Sequence, residues 1–287
     1  MKFMKSIAAL TAVAAVSLFG AQADAQTSKG KILVILSSET SLPLQGGKTF
    51  STGYYLNEVM VPVERFLEAG YEIDFADPKG NTPAVDKASV SADYFGGSKD
   101  ELEKAQNLQQ SLPKLAHPLR LSSVAKSDLE KYKAVFVPGG PAPMIDLMAD
   151  RNLGSILRYF HTHHKTTILL CHGPIALLAA TNDPARLQAA LRKGDAQDVK
   201  QLSANWPYAG YKMTVFTNSE EEQAASNVFH AEPLFRPEDA LRLAGGNIQN
   251  AETWQSNVVE DRELITGQNP FSDKAMMDLV LNELAGK

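Results

Sequence analysis

Cys171 is the only cysteine of the sequence, and it stands in the run Leu170-Cys171-His172-Gly173-Pro174. A lone cysteine is either a buried packing residue or a reactive thiol able to act as a nucleophile. With no second cysteine, an intrachain disulfide and a Cys-rich zinc site are both excluded. The apolar run Ile168-Leu169-Leu170 leads into Cys171-His172, Gly173 gives backbone freedom, and Pro174 suits the first position of a helix. The spacing therefore predicts a tight strand-to-helix elbow, with the thiol near a helix N-terminus that favours thiolate. A small core residue after an apolar run looks the same when taken alone. Pro138-Gly139-Gly140, at the end of another apolar run, tips the reading toward chemistry. Two glycines let backbone amides approach a reacting centre, and the amides of Gly140 and His172 could form an oxyanion hole.

These residues need elements to hold them. Short apolar runs at Lys31 to Leu36, Tyr71 to Ala76, Ala134 to Val137, Ile168 to Leu170, Lys212 to Thr217 and Glu263 to Thr266 read as strands, the most continuous of them buried on both faces. Helical spacing appears over Gly53 to Ala69, over Lys99 to Gln110, after Pro174, and over Pro270 to Leu284. Strands alternating with helices predict an α/β three-layer sandwich around a mainly parallel sheet. In such sheets ligands collect beyond the carboxyl ends of the strands, where Cys171 falls. Residues 182 to 211 read as a helical insertion within a single domain spanning 30–287.

The chain has 287 residues, 28 basic and 33 acidic, and a net charge of -5. An acidic balance without a Lys/Arg cluster argues against nucleic-acid binding. Residues 1–25 carry Lys2 and Lys5, an apolar stretch from Ile7 to Gly20, and A-x-A options ending at Ala23 or Ala25. This pattern predicts a cleaved leader and export to a periplasm, with no membrane segment in the mature form. His161, His163 and His164 invite a metal reading, but their place at a helix C-terminus suits the helix dipole better, and no metal is expected. Trp206 and Tyr208 could line a pocket or pack the insertion.

The runs Val135-Phe136-Val137-Pro138-Gly139-Gly140, Leu170-Cys171-His172-Gly173-Pro174 and Thr266-Gly267-Gln268-Asn269-Pro270 resemble the PfpI-type superfamily of class I glutamine-amidotransferase-like, flavodoxin-like folds. Thr52-Gly53-Tyr54-Tyr55-Leu56-Asn57-Glu58 and Phe216-Thr217-Asn218-Ser219-Glu220-Glu221 place the chain nearest the branch of heat-shock-protein-31-like chaperones and glutathione-independent glyoxalases. The resemblance implies that Cys171 is the nucleophile, His172 its base or orienting partner, and Glu58 the carboxyl against the sulfur. It points to Glu221 as the third acid of a triad, with Glu220 and Glu222 as neighbouring registers. It further implies a homodimer, no cofactor, and a small carbonyl substrate such as methylglyoxal, converted to lactate, or a related deglycase reaction. Two rivals share these residues: a cysteine hydrolase or amidase, and a holding chaperone or redox sensor. Glutaminase activity is disfavoured by Leu169, which occupies the upstream glycine place of those enzymes. Two departures bear on substrate: Pro141-Ala142 replaces the His-Gly of many relatives, and the 182–211 insertion is long for the branch.

Overall fold

The computed structural model describes residues 28–286, so the leader assigned to residues 1–25 lies outside the described residues. Eleven strands follow in chain order: β1 (Lys31–Ile35), β2 (Ser41–Pro43), β3 (Thr49–Ser51), β4 (Glu72–Asp77), β5 (Leu119–Arg120), β6 (Tyr132–Val137), β7 (Thr166–Leu170), β8 (Lys212–Met213), β9 (Asn247–Ile248), β10 (Val258–Asp261) and β11 (Leu264–Gly267). The α-helices are α1 (Leu56–Glu68), α2 (Lys99–Ser111), α3 (Pro113–Ala116), α4 (Leu121–Val124), α5 (Arg151–Thr162), α6 (Pro184–Lys193), α7 (Ala196–Leu202), α8 (Asn218–Ala224), α9 (Pro237–Ala244) and α10 (Asp273–Ala285).

Seven strands form one sheet in the order β10-β11-β7-β6-β1-β4-β5. All its pairs are parallel except β10 with β11, which caps one edge antiparallel. The central strands are apolar throughout because helices cover both faces: Ile32 to Ile35, Ala134 to Val137 and Ile168 to Leu170 are all fully buried. Chain order leaves β1 toward β4 on one side and β6 toward β7 on the other. The strand order therefore reverses between β1 and β6, the place where open parallel sheets leave a crevice at their carboxyl ends.

Four elements differ from the sequence expectation. The run from Lys212 to Thr217 is a strand only over β8, which pairs with β9 outside the main sheet. Beyond it the backbone is tied to the sheet by single bonds, the Thr214 amide donating to Thr266 Oγ1 and the Phe216 amide to the Cys171 carbonyl. Burial there comes without a ladder, which an apolar run cannot distinguish from a strand. The helix expected after Pro174 is a 3-10 segment, Gly173–Ala180, every residue of which is buried. The short edge strands β5 and β10 had no apolar run to announce them.

The 182–211 segment forms α6 and α7, each started by an aspartate side chain: Asp183 accepts from the Arg186 amide and Asp195 from the Asp198 amide. Trp206 and Tyr208 pack rather than line a pocket. The indole of Trp206 donates to the Leu177 carbonyl (2.8 Å) and the Tyr208 hydroxyl to the Leu157 carbonyl (3.1 Å).

Candidate active site

Cys171 directly follows β7 and adopts φ 60, a left-handed conformation uncommon for a residue with a side chain. Two backbone bonds hold it there: its amide donates to the Gly267 carbonyl at the end of β11, and its carbonyl accepts from the Phe216 amide, both at 2.9 Å. Strain over-determined in this way is a mark of functional turns. Gly173 makes the turn sterically possible, since a Cβ there would lie 2.3 Å from the Val137 carbonyl oxygen.

The sulfur lies 3.3 Å from His172 Nδ1, and His172 Nε2 lies 3.0 Å from Glu221 Oε2. Thiol, imidazole and carboxyl thus form a buried chain. Phe216 stacks on the imidazole at 4.4 Å between centroids and fixes its plane. Glu221 reaches His172 because α8 begins with a capping box, Thr217 and Glu220 each bonding the other's backbone. The three consecutive glutamates face three environments. Glu220 is buried and accepts from the amide of Trp254 and from the side chains of Gln268 and Asn269. Glu222 is exposed and pairs with Arg236 at 2.7 Å. Only Glu221 meets the histidine.

Glu58, in the first turn of α1, is fully buried on the other side of the sulfur. Its Oε2 accepts the Gly139 amide at 2.8 Å, and the carboxyl is hydrogen bonded to the Cys171 thiol. Its Oε1 has no nitrogen or oxygen partner. Burial pushes the Glu58 pKa up to about 8, against the pull of the Cys171 and Gly139 hydrogen bonds. Burial also pushes the Cys171 thiol well up, with the Glu58 carboxylate adding to the effect and the Gly140 amide opposing it. This corrects the expectation that a helix N-terminus favours thiolate at rest: desolvation and a neighbouring carboxylate outweigh the partial charge of a short 3-10 segment. The resting pair resists a second negative charge, and its protons belong to both groups together.

The Gly139-Gly140 turn is built for contact. A Cβ at Gly139 would fall 2.6 Å from Cys171 Cβ and 2.8 Å from the His172 amide nitrogen, and one at Gly140 would fall 2.3 Å from the Gly53 carbonyl oxygen. The turn and the elbow therefore meet backbone to backbone at the sulfur, with the Gly140 amide acting on it.

Above the sulfur is a cavity of about 160 Å³ bounded by Tyr55, Tyr94, Phe216, Val228 and Trp254, with Cys171 and His172 at its floor. Pro141, which stands where the sequence resemblance leads one to expect a histidine, also lines it. One wall is a π-helical turn, Ala225–Phe229, that continues α8. Tyr94 comes from a short 3-10 turn, Ala92–Phe95, and Trp254 from a loop, and neither carries a sequence signal. Among the described residues no group of three or more His, Cys, Asp or Glu side chains is placed to hold a metal. His161 instead meets Glu263 (2.8 Å) and Tyr211 (3.1 Å) at the opposite edge of the sheet.

Comparison with known proteins gives relatives by sequence and by fold. The chain is 26% identical over 261 residues to the protein/nucleic acid deglycase HchA of Staphylococcus aureus (strain JH9), covering 89% of this chain and 80% of the relative. Among solved structures it resembles glyoxalase III of Candida albicans, with a TM-score of 0.61 and 22% identity over 88% of this chain and 97% of that one. It also resembles the Rapid Encystment Protein 24 KDa of Francisella tularensis, with a TM-score of 0.64 and 22% identity over 89% of this chain and 99% of that one. At these identities the two structures speak to the fold. A model of the ThiJ/PfpI family-like proteins matches residues 50–237, which include Glu58, the Gly139-Gly140 turn, the Cys171 elbow and Glu221, and the chain belongs to this ThiJ/PfpI-like family.

Proposed function

We propose that the protein is a cysteine-dependent enzyme acting on small reactive carbonyls, of the glutathione-independent glyoxalase or related deglycase type. The observation that carries this reading is the placement of one sulfur between two different proton carriers, His172 on one side and Glu58 on the other. A hydrolytic triad needs only the first. An internal redox reaction of a 2-oxoaldehyde needs both, because two protons move along separate paths.

The steps balance as follows for methylglyoxal. Cys171 gives its proton to His172 Nδ1 as the sulfur bonds to the aldehyde carbon, and the imidazolium is held by Glu221. The proton passes to the new oxyanion, which sits near the Gly140 amide, giving a hemithioacetal. Glu58 in its carboxylate form removes the proton from that carbon and returns it to the adjacent one, while the hydroxyl proton transfers to the neighbouring oxygen. An enediol thereby becomes a thioester. Water cleaves the thioester with His172 as base, releasing lactate and the thiol. A carboxyl with a pKa of about 8 is a stronger base than an ordinary glutamate and is still ionised to a useful extent near neutrality.

The deglycase named among the relatives supports the same chemistry at a carbonyl adduct. The test is lactate formation from methylglyoxal by the wild-type protein beside Cys171→Ala and Glu58→Gln. Turnover lost in both variants supports the reading. A wild-type protein that reacts with a thiol probe yet makes no lactate, while cleaving amides or esters, replaces it with the hydrolase reading that the Cys171, His172 and Glu221 chain would also serve. Export directed by residues 1–25 is a separate proposal, tested by the mass of the mature protein recovered outside the cytoplasm.

A further inference from the structure

The cavity over Cys171 is larger than methylglyoxal needs and has a definite chemical character. At about 160 Å³ it matches the size of a cavity, about 150 Å³, that suffices to admit one benzene ring. Its walls are largely aromatic. Phe216 meets Trp254 edge to face at 5.5 Å and Tyr94 meets Tyr55 at 5.3 Å, while behind the wall the exposed Phe271 bridges the two pairs, meeting Trp254 at 6.3 Å and stacking on Tyr94 at 5.9 Å. No lysine or arginine lines it among the described residues, and Glu58 and Glu221, the carboxyls that bond Cys171 and His172 at its floor, are themselves fully buried.

Trp254 is held in this wall at a conformational cost. It sits at φ 62, a rare region for a bulky residue, fixed by its amide on Glu220 Oε1 (2.8 Å) and its indole N–H on Gln223 Oε1 (2.7 Å). Both partners belong to α8, the helix that carries the triad acid. The aromatic wall and the nucleophile's support are thus one assembly.

We propose that this cavity is an aryl subsite, that the substrate class is an uncharged aromatic 2-oxoaldehyde, and that Trp254 is the residue that determines the preference. The inference rests on the carbonyl reading given above and narrows it. With phenylglyoxal the aldehyde carbon bonds to Cys171 Sγ, the ring lies between Trp254, Phe216 and Tyr94, and the carbon-bound proton moves to the neighbouring carbon through Glu58. Water then cleaves the thioester, so that one phenylglyoxal and one water give one mandelic acid and the free thiol. A carboxylated analogue gains nothing from the pocket, because no lysine or arginine lines it and its walls are mainly aromatic and apolar.

The test has a turnover arm and a binding arm. Mandelate and lactate formation are compared for phenylglyoxal and methylglyoxal, and calorimetric binding of 2-hydroxyacetophenone and hydroxyacetone is compared on Cys171→Ala. The expected result is a kcat/KM ratio and an affinity ratio both favouring the aryl compound by about tenfold or more, the scale of one or two aromatic contacts. Trp254→Ala lowers both ratios toward unity, Trp254→Phe retains most of them, and Val228→Trp, which fills the cavity from its other wall, lowers them independently. Equal affinities, or ratios unmoved by both Trp254→Ala and Val228→Trp in proteins with native circular dichroism, overturn the proposal. Methylglyoxal turnover without aryl preference overturns the subsite and leaves the carbonyl reading standing. Tight, Trp254-dependent aryl binding without turnover of either aldehyde supports the subsite and removes the carbonyl reading.

Discussion

Two glutamate and histidine pairs, one half-buried and one buried, lie at opposite ends of the strands of the same sheet. At the amino-terminal edge, Glu263 Oε1 takes His161 Nδ1 at 2.8 Å and the Tyr211 hydroxyl at 3.0 Å, Tyr211 reaches Oε2 as well, and Arg262 lies over the Tyr211 ring. At the carboxyl-terminal edge, Glu221 Oε2 takes His172 Nε2 at 3.0 Å, but Glu221 Oε1 has no partner and neither does Oε1 of Glu58 across the sulfur. The first cluster is saturated and closes against its neighbours. The second leaves buried acceptors unmet beside a cavity, at a cost of about 1–3 kcal/mol for each such group. Similar residue types therefore serve structure at one edge and are held ready for a ligand at the other, and the difference lies in what surrounds them.

The largest expected difference between the edges is in catalysis. Glu221→Gln leaves His172 without its anionic partner and lowers kcat/KM by about 10²–10⁴-fold, measured with the best carbonyl substrate. Glu263→Gln leaves kcat/KM per folded molecule unchanged. A loss of activity at Glu263 equal to that at Glu221 would dissolve the distinction.

Stability reverses the order. Glu263→Gln disturbs a satisfied network and lowers unfolding free energy by about 1–3 kcal/mol in urea titration, whereas Glu221→Gln changes it less. Glu58→Gln has a signed pH dependence. The folded pKa of about 8 lies above the ordinary value of 4.5, so the folded state holds the proton more tightly than the unfolded chain. Ionisation costs the fold nothing below about pH 4.5; the penalty grows between there and about pH 8, and it is complete above, reaching on the order of 5 kcal/mol. The variant should therefore gain melting temperature relative to wild type as pH rises through that window. A difference independent of pH would mean that Glu58 is not neutral in the resting fold. The smallest expected effect is at Trp254, where Trp254→Phe keeps one ring in the wall and lowers aryl binding by only about two- to threefold.

How much of this could be read from sequence depends on what each residue contacts. The parallel sheet was legible because β1, β4, β6 and β7 are buried on both faces and must be apolar in continuous runs. Cys171, His172 and the glycine turn were legible because the elbow needs special backbone residues at fixed offsets. Val215 and Phe216 misled because they are buried without pairing, held by the Cys171 carbonyl and the Thr266 side chain. The resting state of the thiol was misread because the helix-terminus rule sees local sequence, while the dominant influences, desolvation and Glu58, come from distant parts of the chain. Trp254 and Tyr94 had no signal at all, since an aromatic in a connecting segment, whether a loop or a single 3-10 turn, acquires its place only when other elements close over it.

The capping box at the start of α8 has a mechanical consequence. One turn of helix fixes Glu220 to the loop that carries Trp254 and, one residue on, fixes Glu221 to the imidazole beside Cys171. Neighbouring positions on a helix point about 100° apart, so a slip of a single residue would exchange the anchor for the acid and turn both away from their partners. The register of this short helix therefore works as a common gauge for the depth of the pocket and the reach of the triad, and the two dimensions cannot drift separately.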